Sequence, residues 1–173
     1  MPRIFDNIEE YLGQSLVGSL TDSENLDSSI GYFNIRGWSE LADAVDLLPE
    51  GEGSDPKVRL LIGMAGRPDA ELRKALKIVD SPSAMDNKTA DRLRGTAMEN
   101  LAEQLVWGLP TAKDEATIRQ LRRQLSEGEV KVKLHLRHPL HAKLYLCHRS
   151  NQDNPRTGYV GSSNLTLAGL VRQ

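Results

Sequence analysis

The chain has a single cysteine, Cys147, so it can form no internal disulfide, and the residue reads as a core thiol in a reducing, cytoplasmic setting. It has no apolar run near the 18 residues of a membrane span, and no charged-then-apolar leader at its start. It lacks a bias of charge: the formal net charge of −2 leaves no global basicity to attract nucleic acid, so any such contact needs a local patch. With only two tryptophans and no exposed amphipathic face, nothing points to a lipid surface. No period of 20–50 residues repeats and no low-complexity tract occurs. No phosphate-binding G-x-x-x-x-G-K-[ST] loop is present, since GEGSDPK lacks its final glycine and hydroxyl.

What remains is an ordinary soluble composition, 39% hydrophobic and 27% charged. At 173 residues it fits one domain, which buries roughly 65–70% of its unfolded surface. Helical spacing runs over 5–20 through Ile8, Leu12, Leu16 and Leu20, with Asp6 as N-cap. After a polar break at 21–27, the stretch 28–34 reads as a short buried strand. Ser39 then caps a helix using Leu41, Ala44, Val45 and Leu48. A loop at 50–56 leads to the clearest strand of the first half, KVRLLIGM at 57–64. Strand, helix and strand in that order predict a βαβ unit with parallel pairing.

Helices are expected at 70–79 and 89–107. A third follows the capping box Thr111–Asp114, carries Ile118, Leu121 and Leu125, and stops at Gly128. Arg119, Arg122 and Arg123 fall on its outer side, as a solvated face or a nucleic-acid contact. Val130, Val132, Leu134 and Leu136 alternate with Lys131, Lys133, His135 and Arg137, a half-buried strand with one basic face. A turn at 138–140 predicts that the next strand is its antiparallel partner. The sum is an α/β fold with a mixed β-sheet flanked by helices.

The chemistry gathers in 140–168. Strand residues alternate faces, so His141 and Lys143 point the same way, roughly 6.6 Å apart along the backbone. An imidazole beside an ammonium suits a phosphate diester: one group attacks or moves protons, the other neutralises non-bridging oxygens. A short strand at 157–160 leads into Gly161-Ser162-Ser163-Asn164 and a helix-like 165–170. Amides at that helix start, two hydroxyls and a carboxamide would make an anion cradle, although Ser162 and Ser163 serve equally well as helix caps. A zinc site of His135, His138, His141 and His148 has loose spacing and no thiolate pair.

At these residues the chain resembles the phospholipase D superfamily, whose signature is H-x-K, a spacer, then G-S-x-N. His141, Lys143, Gly161, Ser162 and Asn164 match it one by one. The stretch YFNIRGW at 32–38 is similar to the corresponding part of phospholipase D-like domains fused to helicases in bacteria, and reads equally as two core aromatics and a turn at Gly37.

The resemblance implies an α/β/α sandwich and hydrolysis of a phosphodiester, DNA first, through a phosphohistidine on His141 without metal or cofactor. Lys143 and Asn164 would hold the phosphoryl oxygens, and Gly161, Ser162 and Ser163 would line the phosphate. Such enzymes use two motif copies and this chain has one, so a homodimer with a shared cleft is expected. Two departures stand out. His148 occupies the place of the usual aspartate, and the spacer 149–156 is longer and more polar than usual. Family members continue past G-S-x-N to an acidic residue that orients the histidine, so the chain is expected to be the N-terminal domain of a larger, helicase-type protein. The alternative function is a module that grips a nucleic-acid backbone without cutting it.

Overall fold

The computed structural model describes residues 4–5, 10–51, 55–63, 87–106, 111–135 and 140–171. Their elements are α1 (Leu12–Thr21), β1 (Asn25–Ile30), α2 (Ile35–Trp38), α3 (Ala42–Asp46), β2 (Val58–Ile62), α4 (Asn87–Val106), α5 (Ala112–Ser126), β3 (Val130–Leu134), β4 (Lys143–His148), β5 (Arg156–Val160) and α6 (Leu167–Leu170). The strands form one five-stranded mixed sheet in the order β3-β2-β1-β4-β5. β1, β2 and β3 run parallel, whereas β4 lies antiparallel between β1 and β5. The fold is therefore α/β with a mixed sheet, and the βαβ unit expected from 28–64 is present as β1 and β2. The helix expected at 70–79 lies outside the described residues.

One pairing differs from the sequence reading. β3 does not form a hairpin with β4; it pairs in parallel with β2 at the sheet edge, Val58 opposite Val130 and Ile62 opposite Leu134. The antiparallel hairpin is β4–β5 instead, with Tyr145 opposite Tyr159. A helix, α5, delivers the chain to β3, and a crossover of that kind favours parallel pairing with the preceding strand. Leu140 crosses the ends of β2 and β1: its carbonyl lies where a side chain on Gly63 would have to be. Gly63 makes that crossing possible.

Alternation then sorts the sheet into two faces. Leu26 and Ile30 of β1, Val58, Leu60 and Ile62 of β2, and Tyr145 and Cys147 of β4 are buried together on one face. Leu12, Leu16 and Leu20 of α1 pack into the same core at i, i+4, i+8 spacing. Ser28 and Lys143 are the polar members of that face. The opposite face carries Asp27, Arg59, Lys131, Lys133, Leu144 and His148, half-buried or exposed.

Several boundaries shift. β1 starts at Asn25, inside the expected polar break, because Leu26 already belongs to the buried row. The helix expected from Ser39 is two short ones, and the first cap is Asn34, whose side chain accepts from Gly37 N at 2.8 Å. The position before α1 is Tyr11, while Asp6 lies outside the described residues. The capping box Thr111–Asp114 forms as expected.

The inward face of α5 is only partly the one expected: Leu121 packs against the core, but Ile118 and Leu125 are 37% and 44% exposed, while Asp114, Thr117 and Gln124 are buried. The reason is polar. Trp38 Nε1 donates to Gln124 Oε1 at 3.0 Å, and Gln124 Nε2 donates to Ala42 O and Asp46 Oδ1. Arg36 donates twice to Asp114 at 3.2 Å. Fully partnered polar groups can face inward where apolar ones were expected.

Candidate phosphodiester site

The residues singled out by motif meet at one end of the sheet, beyond the carboxyl ends of β1 and β2. In an open α/β sheet such a crevice is the common place for a ligand. β4 runs antiparallel to β1, so its first residue, Lys143, lies opposite Ile30, the last of β1. β5 returns antiparallel to β4, so the segment after Val160 arrives at the same end, and Gly161 N donates to Lys143 O at 3.2 Å. Sequence neighbours 141–143 and 161–164 are thus joined by hairpin register.

The geometry centres on Lys143. Its side chain is only 9% exposed, and its amine lies 3.0 Å from His141 Nδ1 and 3.1 Å from Nε2. A neutral imidazole has a single acceptor nitrogen, so the amine donates to one of the two at most. No carboxylate pairs with Lys143 among the described residues. Burial with no compensating anion holds its pKa below the ordinary lysine value. His141 itself is exposed.

Asn164 comes to the same place across Gly31. A methyl added to Gly31 would meet Asn164 Oδ1 at 3.1 Å and His141 Cδ2 at 3.5 Å, so the carboxamide and the imidazole face each other over a residue without a side chain. Tyr32 N donates to Asn164 Oδ1 at 3.0 Å. That bond occupies the carbonyl oxygen and leaves the amide NH2, a donor, for an anion. The site therefore presents an amine, an imidazole and a carboxamide donor around one gap.

The loop that carries Asn164 is held from below. Tyr145, two residues along the buried face from Lys143, donates its hydroxyl to Ser163 O at 3.1 Å. Burial raises the pKa of that phenol, so it stays a neutral donor. Phe33 bridges Leu165, and Asn34 N donates to Leu165 O at 3.0 Å. Gly37 sits so close to the Leu165 carbonyl and Thr166 Cα that no side chain fits between them. The stretch 32–38 therefore supports the site from beneath. Phe33 and Trp38 are core aromatics, and the backbone around them seats the segment after the motif.

One expected part of the cradle is absent. α6 is only four residues long and begins at Leu167, capped by Thr166, whose hydroxyl accepts from Gly169 N at 3.1 Å. The helix therefore starts beyond the Gly161–Asn164 segment, and Ser162 and Ser163 are not its caps. Ser162 is exposed and Ser163 half-buried beside Asn164. Gly161 is also exposed, with no atom within 4 Å of where its Cβ would be.

Other candidates lie elsewhere. His148 is at the opposite end of β4 from Lys143, paired in register with Asn25, and its Nε2 is 3.0 Å from Asp27 Oδ2. Burial would raise the Asp27 carboxyl, but the Arg59 guanidinium, bonded at 2.5 and 2.7 Å, and His148 together hold it below its ordinary value. The motif position occupied by His148 therefore does not reach the gap, and His141 and His148 cannot share a metal. His135 leaves β3 at the far edge of the sheet, and His138 lies outside the described residues. Arg119 pairs with Glu115, and Arg123 with Asp46, Glu127 and Glu129, so two of the three arginines on α5 are already neutralised. Cys147 is fully buried, its thiol pushed up to about 11 by burial.

Gly31, Tyr32 and Tyr145 are the site residues that motif reading missed. Tyr145 was legible as the next residue on the His141–Lys143 face. The role of Gly31 had no local signal. No helix among the described residues is long and apolar enough to cross a membrane. No protein-family model matches the chain, and no curated protein matches it. The resemblance to the phospholipase D superfamily rests on the motif residues of the sequence alone.

Proposed function

We propose that this domain hydrolyses phosphodiesters in the manner of the phospholipase D superfamily, with DNA as substrate and His141 as nucleophile. The observation that carries the reading is buried Lys143, whose amine has no carboxylate partner among the described residues, beside exposed His141 and near an amide whose donor is left for an anion. A buried cation that lacks an anion is costly. A phosphoryl group entering the gap would supply the missing charge and accept hydrogen bonds from Lys143 and Asn164.

In that reaction His141 attacks phosphorus, and the resulting phosphohistidine is hydrolysed by water. Lys143 and Asn164 offset charge on the phosphoryl oxygens, with Gly161, Ser162 and Ser163 along their outer side. In-line displacement calls for a second acid opposite His141 to protonate the leaving oxygen. A two-fold homodimer that shares one cleft would provide it, through an interface of roughly 1,200–2,000 Å² in total. A helicase-type parent would present the DNA strand, in a cytoplasmic setting.

Incubation with DNA in excess chelator tests this. Cleavage by the wild type and its loss in His141→Ala at unchanged melting temperature are expected. Salt-sensitive binding without cleavage would replace the reading with that of a non-catalytic backbone-binding module.

A further inference from the structure

The geometry points to a second reaction at the same gap: Lys143 acts as an amine nucleophile toward the aldehyde of an abasic deoxyribose, and the strand is cut by β-elimination. The inference rests on the proposed phosphodiester site but uses a different atom and a different bond. Lysine is rarely buried unless paired with an acid. Here the amine is enclosed without an acidic partner among the described residues, and its polar neighbour is the His141 ring at 3.0 and 3.1 Å. Desolvation favours the neutral amine, the form that adds to a carbonyl. The imidazole beside it can take a proton from the adducted sugar.

The reach of the substrate agrees. In an abasic strand, C1′ and the 3′ phosphorus are separated only by C2′, C3′ and O3′. The Lys143 amine lies against the His141 ring, and that ring shares the space over Gly31 with the Asn164 carboxamide, so both ends of that unit would meet a partner around one imidazole. Gly31, which has no side chain, lies between Asn164 and His141, and Gly161 at the end of β5 is exposed.

The steps balance without a redox partner. Lys143 Nζ adds to the C1′ aldehyde, and loss of water leaves a protonated imine. His141 removes a proton from C2′, and that electron pair forms the C1′–C2′ double bond of an enamine. The enamine nitrogen then re-forms the protonated imine, the C1′–C2′ pair becomes a C2′–C3′ double bond, and the C3′–O3′ bond breaks with its electrons on O3′, releasing the downstream strand with a 5′ phosphate. Water hydrolyses the remaining imine, which frees Lys143 and leaves an unsaturated aldehyde on the upstream strand.

The experiment uses a duplex oligonucleotide with a single abasic site, in chelator, with and without borohydride. Expected are a borohydride-dependent protein–DNA adduct mapped to Lys143 by mass spectrometry and, without reductant, an unsaturated aldehyde end. Lys143→Arg, which keeps the charge but has no nucleophilic amine, should lose the adduct. His141→Ala should still trap but eliminate at least about tenfold more slowly, the lower part of the usual contribution of a general base.

Cleavage of intact DNA by a wild type that forms no adduct would overturn this inference and leave the hydrolase standing. An adduct without cleavage of intact DNA would support the inference and defeat the hydrolase. An adduct mapped to another lysine, or retained in Lys143→Arg, would overturn the assignment, as would elimination by His141→Ala at the wild-type rate.

Discussion

Replacing Tyr145 by phenylalanine isolates one hydrogen bond that links the core to the site. The ring is buried on the sheet face, and phenylalanine fills the same volume, so no cavity opens. The change removes the donor to Ser163 O, 3.1 Å away, and nothing else. A neutral intramolecular hydrogen bond contributes about 0.5–1.5 kcal/mol net. Ser163 is half-buried, so water can reach the orphaned carbonyl, and the expected loss sits near the lower end, about 0.5–1 kcal/mol.

The functional consequence is larger in proportion, because Ser163 immediately precedes Asn164. Loosening that carbonyl lets the carboxamide drift from the gap while Tyr32 N still holds its oxygen at 3.0 Å. Up to about 1.4 kcal/mol of positioning corresponds to as much as about tenfold in rate, so a fall of roughly three- to tenfold is expected. Denaturant unfolding measures the first quantity. Inorganic phosphate affinity and DNA cleavage in chelator measure the second. A stability loss with unchanged phosphate affinity and cleavage would refute the idea that Tyr145 positions the loop. A loss above about 3 kcal/mol would show that the hydroxyl does more than make one bond.

Gly31→Ala should leave the melting temperature within a few degrees, since Gly31 has no positive φ, yet lower cleavage about tenfold as its methyl presses on Asn164 Oδ1 at 3.1 Å. Wild-type cleavage by this variant would remove Gly31 from the site. His148→Asp restores the motif residue in name, but five residues down β4, about 17 Å from Lys143 at 3.4 Å per residue, it should leave cleavage unchanged. It should lower stability by about 1 kcal/mol by setting a second carboxylate beside Asp27, and increased cleavage would contradict this geometry. Asp114 is held at about 2, against an ordinary 3.8, first by the Arg36 side chain and then by the Thr111 amide. A depressed carboxyl contributes stability that is full above the unfolded pKa and is lost as pH falls from about 4 to 2. The shift corresponds to at most about 2.4 kcal/mol; Arg36 is 41% exposed, and solvent screening reduces this to about 1–2 kcal/mol. Asp114→Asn should flatten that part of the acid unfolding curve, and superimposable curves would disprove the assignment.

Much of this protein is decided within a few residues along the chain. The period of two in β4 puts Lys143, Tyr145 and Cys147 on one face whatever the strand pairs with. The capping box at Thr111–Asp114 is likewise a matter of backbone amides within one turn, and the leucines of α1 share a stripe by helical geometry alone.

The rest depends on contacts that no local pattern encodes. Val130, Val132 and Leu134 would alternate identically beside β4 or beside β2; the crossover through α5 places them beside β2. Beside Leu121, the inward side of α5 is polar because Trp38, Ala42, Asp46 and Arg36 wait for it on other elements. The site itself is divided in the same way. The spacing of His141 and Lys143 is local, but Asn164 faces them only because β5 returns in register along β4 and because Gly31, distant in sequence, has no side chain to keep them apart. Hairpin register and close backbone approach are properties of packed strands, and they come into being only when the sheet is assembled.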